Sequence, residues 1–163
     1  MHDALTIYFN GEKYAGLVLA GAAVAAIVIA IVMFRAAGEF RSFAITLGVL
    51  ALAEIALGAG LYLRTGPQVA HLEEQLRSSA PSFHAAESAR MARVQRNFVV
   101  IEYVELCLIV ATAIAAVWLK SKAGASGVAL GLLINASILL AFDVFAERRG
   151  AQYVTALVHT ETR

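Results

Sequence analysis

The chain has 163 residues, 60% of them hydrophobic and 15% charged, with a mean hydropathy of +0.74. Soluble domains carry about 25% charged and about 45–50% apolar residues, so this composition predicts an integral membrane protein. A net charge of +1 provides no basic field for nucleic acid, and a single cysteine, Cys107, excludes disulfide frameworks, CxxC redox chemistry and cysteine zinc sites.

About 20 apolar residues are needed for a helix to cross ~30 Å of hydrocarbon. Four segments meet that length: 15–34, 43–63, 98–119 and 127–146. The first contains no charge, and it is too long and too far from Met1 for a signal-peptide core. A short link, 35–42, leads to the second segment, which carries Glu54. The connection 65–97 is long and polar. Within it Pro67 suits the first turn of a new helix, and Val69, Leu72 and Leu76 recur at i, i+3 and i+7. That spacing predicts a short amphipathic helix resting on the membrane or on the bundle, followed by a turn at Ser78-Ser79-Ala80-Pro81-Ser82. From Phe83 a helical pattern runs unbroken into the third segment, which holds Glu102 and Glu105. After another short link the fourth segment carries Asn135 near its centre and Asp143 near its end.

Short links join antiparallel neighbours. The expected fold is therefore all-α: a single membrane domain over 1–163, a four-helix transmembrane bundle of two antiparallel hairpins with a helical extramembrane connection. Small residues, among them Gly16, Gly48, Gly58, Gly60 and the Gly127-xxx-Gly131 pair, are the predicted packing faces. Both termini and the long connection fall on one face, side A. Side A holds Lys13, Arg64, Arg77, Arg90, Arg93, Arg96, Arg148, Arg149 and Arg163, and side B holds Arg35, Arg41, Lys120 and Lys122. This excess assigns side A to the cytoplasm of a bacterial inner membrane.

The charged residues within the spans carry most information, because a carboxylate at the bilayer centre costs about 2.5–3.5 kcal/mol. Counted from side A, Asp143 lies about 4–5 Å deep, Glu102 about 6 Å, Glu105 about 10 Å and Glu54 about 13 Å. Glu102 and Glu105 share a helix face, as do Asp143 and Glu147. Tyr62, Arg64, Tyr103, Arg148 and Arg149 surround them at the same level. The expected result is a polar pocket open to side A above an apolar floor. Its ligand- or ion-binding residues would be Glu54, Glu102, Glu105, Asn135 and Asp143. Glu54 is the deepest and has no basic residue within one turn, so it needs a partner on another helix or a proton.

The competing expectation is structural: Arg64, Arg148 and Arg149 pair with Asp143, Glu147 or Glu102 and lock the helices in register. Arg90, Arg93 and Arg96 are expected at lipid head groups, or on a solvated helix face as partners of Glu87 and Glu102. No histidine lies in any span, since His2, His71, His84 and His159 all occupy polar segments, so a di-iron carboxylate site is not expected. A cation bound by carboxylates and Asn135 is left open; His71 and His84 in the side A connection read as solvated surface residues, with a coil-borne metal site as the alternative, and no cofactor is expected. No nucleophile set or phosphate loop is present, which points away from an enzyme. Two functions fit: a transport-type protein binding an ion or small polar ligand, working as a homo-oligomer, or a non-catalytic accessory or immunity-type protein. The latter would meet a membrane partner through the side A connection, and neither binds nucleic acid.

Overall fold

The computed structural model describes residues 1–36 and 38–161; Arg163, counted above among the side A cations, lies outside them. Among the described residues the chain forms four long helices, α1 (His2–Ala36), α2 (Arg41–Ser78), α3 (Ala80–Trp118) and α4 (Ala123–Glu161), with a 3-10 turn, Gly38–Phe40, before α2. They are 35, 38, 39 and 39 residues long. At 1.5 Å per residue each runs about 52–58 Å, well beyond ~30 Å of hydrocarbon. All four are long and apolar enough to cross a membrane.

The connection differs from its expected form. Pro67 does not start a helix; it lies inside α2, which continues to Ser78. Proline there removes one hydrogen bond, that to the Leu63 carbonyl, and opposes the helix by about 3 kcal/mol. Burial beyond it outweighs that cost: Leu72 enters an apolar cluster, and Val69 and Leu76 pack against it. The amphipathic stretch thus rests on the bundle as the last turns of α2. The five-residue turn reduces to Ser79, held extended at φ −160° and ψ 99°. Ser78 Oγ donates to the Gln75 carbonyl and Ser82 Oγ to that of Ser79, both at 3.0 Å. Pro81 falls in the first turn of α3, where its missing N–H has no helical partner to lose.

Consecutive helices pack along each other, α1 on α2 and α3 on α4, and α2 also packs on α4, whereas α1 and α3 share no backbone contact among the described residues. The crossings depend on absent side chains. A Cβ on Gly58 would lie 2.5 Å from the Gly16 carbonyl oxygen, and one on Gly16 would lie 2.6 Å from that of Gly58. Between α2 and α4, Gly127 sits against Ser42 and Phe43, and Gly131 against Thr46. Between α3 and α4, Gln95 lies across Gly150 and donates to the Glu147 carbonyl at 3.3 Å.

Two kinds of surface follow one another along the bundle. At the end formed by both termini and the α2–α3 link, called the A end here, apolar residues turn inward. Leu5, Tyr8, Phe9, Leu72, Phe83, Met91, Tyr153 and Leu157 form one buried cluster there. Along the apolar segments the outside is apolar as well, with Val32, Val49, Val104 and Val117 all exposed.

The α1–α2 crossing generates a stability prediction. Gly58→Ala forces the two backbones apart and costs about 1–3 kcal/mol. Gly60→Ala, two residues on and facing open space, is neutral or stabilising by up to ~1 kcal/mol. Melting of both variants in detergent checks the contrast.

Candidate functional site

The α2–α4 contact sets the first pair of polar groups. Gly127, Gly131 and Asn135 recur every four residues and share one face of α4. Ala44, Leu47, Ala51, Glu54 and Gly58 form the buried stripe of α2. Where the two stripes meet, Asn135 Nδ2 donates to Glu54 Oε1 at 2.7 Å, with Glu54 5% and Asn135 7% exposed. Glu54 therefore has the cross-helix partner that its position demands. The pair ties α2 to α4 and lies apart from the cavity described next.

Close packing gives out toward the A end. Between the Glu54–Asn135 pair and the A-end cluster, Ala15, Ala56, Gly60 and Ala146 present little side chain. The gap is a cavity of about 580 Å³ walled by all four helices. Leu19, Leu57, Phe98, Ile101, Leu139 and Phe142 make its apolar wall, and its polar groups are Glu12, Arg64, Glu105, Asp143 and Arg149. That volume lies within the ~300–1,000 Å³ usual for small-molecule sites.

Charge is left uncompensated inside it. Glu105 is 8% exposed, lies within hydrogen-bonding reach of Asp143, and its Oε2 is buried without a donor. Two carboxylates facing each other need a proton or a cation between them, since each offers only acceptors. Arg149 lines the same cavity, with its Nε packed against Gly11 and without an acceptor. Among the described residues no ion pair joins Arg64, Arg148 or Arg149 to Asp143, Glu147 or Glu102, contrary to the structural expectation, whereas Glu87 does pair with Arg90.

The remaining expected residues scatter. Glu102 occupies a separate groove with Val99, Tyr103, Leu106 and Leu140, facing the charges of Glu147 and Asp143. Tyr62 carries the Lys13 ammonium 4.6 Å from its ring centre. Tyr103, Arg148, Arg93 and Arg96 are exposed. Arg90 departs from the expected head-group row. It turns inward, donates twice at 2.7 Å to Glu87, which is 2% exposed, and lies over the Phe9 ring at 5.7 Å. Burial makes this pairing obligatory, because Glu87 without Arg90 would be an uncompensated charge in the A-end core. Among the described residues no three His, Cys, Asp or Glu side chains converge as a metal site.

Glu12 is the cavity residue that sequence reasoning missed, because it precedes the first apolar segment; its spacing of four from Tyr8 was the available signal. Tyr8 donates to Glu12 Oε1 at 2.8 Å and stacks on Tyr153 with centroids 4.8 Å apart. The Tyr153 hydroxyl is buried beside Glu87 without a well-aligned hydrogen bond. Burial, then the adjacent Glu12, raises the Tyr8 phenol above its ordinary range, and burial, then Glu87, raises that of Tyr153. Burial works against the Arg90 charge, but Glu87 overrides it and raises the guanidinium.

The chain matches no protein family, no curated protein and no solved structure.

Two predictions follow from these contacts. Asn135→Leu strips Glu54 of its donor and costs about 1–2 kcal/mol, whereas Glu54→Gln keeps an acceptor for Asn135 and costs less, as read by melting in detergent. The neutral phenols favour the folded A end, so its stability is complete below about pH 10 and falls as pH rises toward the higher native values. A phenolate absorbance titration should show two of the five tyrosines ionising only as helicity is lost, and one in Tyr8→Phe.

Proposed function

We propose that this chain is an integral membrane protein that binds a small polar ligand in the cavity at the A-end side of its apolar segments, as a component of transport. Membrane insertion as two antiparallel hairpins is supported by the apolar outer surface, which no aqueous protein would present along four helices. It is supported also by the exposed aromatic residues. Tyr14, Tyr103 and Phe145 stand toward the A end, while Phe34, Phe40 and Trp118, the last 83% exposed, stand toward the other. Two such belts mark the levels of lipid head groups. Both termini then share one side, and the excess of Lys and Arg makes that side cytoplasmic.

One observation carries the ligand reading: Glu105, more than nine-tenths buried, lines a cavity of ligand size beside a second carboxylate, Asp143, and neither has a cationic partner among the described residues. A carboxylate so placed is costly unless the occupant of the cavity completes it. The accessory-protein reading is the weaker one, because Val69, Leu72 and Leu76, its expected contact face, are taken up by the chain's own A-end core.

The reading is tested by native mass spectrometry of protein released from a mild detergent. A bound ion or small molecule is expected in wild type and in Glu54→Gln, and is expected to be lost in Glu105→Gln. Bare protein throughout, or an adduct indifferent to Glu105, would contradict it.

A further inference from the structure

Resting on that reading of the cavity, we propose that its ligand is a small zwitterion, with its ammonium group at Glu105 and Asp143 and its anionic group at Arg149 and Arg64. Residues of opposite charge line the one cavity, Glu105 and Asp143 against Arg149 and Arg64, and among the described residues no ion pair joins them. A plain cation would answer Glu105 and leave Arg149 bare. A plain anion would answer Arg149 and leave two carboxylates opposed. A ligand carrying both charges satisfies both, with charge-assisted hydrogen bonds at each end. Glu102 and Glu147 stand beside the Glu105–Asp143 pair, so the carboxylate end is further biased toward a positive group.

Spacing narrows the class. Asp143 and Arg149 are six residues apart on α4, about 9 Å along the axis. The two charges of the ligand therefore stand several bonds apart, and Leu57, Leu139 and Phe142 line the space with apolar surface that suits an aliphatic spacer. The order of the charges points to the source. The arginines lie nearer the A end than the carboxylates, so the ligand enters ammonium first. A zwitterionic phospholipid of that leaflet would have the reverse order, its phosphate deeper than its ammonium. The geometry favours a water-soluble zwitterion over a lipid head group.

Calorimetric titration of the whole protein in detergent with ε-aminocaproate, hexylamine and hexanoate tests this, alongside native mass spectrometry from nanodiscs of phosphatidylethanolamine and phosphatidylglycerol. ε-Aminocaproate is expected to bind wild type about tenfold or more tightly than either singly charged probe. Glu105→Gln and Arg149→Met should each abolish that advantage, while Arg149→Lys should retain part of it, and helicity should match wild type in all three. Hexylamine binding as tightly as ε-aminocaproate, with Arg149→Met indifferent, would overturn the zwitterion and leave the cavity reading standing. Retention of phosphatidylethanolamine through Glu105 and Arg149, with ε-aminocaproate silent, would keep the two-charge chemistry and assign it to a head group. Silence of every probe and both lipids toward wild type would overturn both proposals.

Discussion

A charge among apolar helices persists only where something compensates it, and the arrangement of this bundle follows from how each charge is met. Glu54 is answered by Asn135, a neutral donor on the facing helix. Glu87 is answered by the two-pronged contact of Arg90 inside the A-end core. Glu105, Asp143 and Arg149 are brought to one cavity and left without mutual ion pairs. The first two arrangements are closed and explain why helices sit where they do. The third is open, and an open arrangement of buried charge is where a ligand gains most by binding.

The same contrast runs through the packing. Gly127 and Gly131 bring α4 onto the backbone of α2 in one half of the bundle, and Gly16 and Gly58 bring α1 onto α2 near its middle. Nothing equivalent draws α3 toward α2 along the apolar segments, and residues of both helices line the cavity. Beyond it the aromatic cluster of Tyr8, Phe9 and Tyr153 closes the bundle again. The cavity is thus bounded by close contacts on both sides along the helix axis. A site with firm ends and a loose centre can hold its polar groups in place without collapsing them onto one another.

The apolar segments were legible because a run of some 20 apolar residues has few other uses. Glu54, Asn135, Glu105 and Asp143 stood out for the same reason: polarity within such a run is conspicuous. Their grouping was not legible. Depth alone collects Glu54 with Glu105, whereas the turn of α2 directs Glu54 to α4 and away from the cavity. The A-end bundle was hidden because its helices are ordinary amphipathic ones and Pro67 resembles a helix start, when burial of Leu72 carries α2 straight through it. Glu12 was hidden because helical extension beyond the apolar segment is what makes it a cavity residue.

The most direct test of the account is an experimental structure of the protein in a lipid nanodisc, at a resolution that shows side chains and bound molecules around Glu105. The account predicts a cavity held open between α2 and α3, with density for an occupant reaching Glu105 and Arg149 and no direct contact between the two side chains. A closed gap in which Arg149 or Arg64 pairs directly with Glu105 or Asp143 would contradict it, and would return these charges to the role of helix-locking bridges.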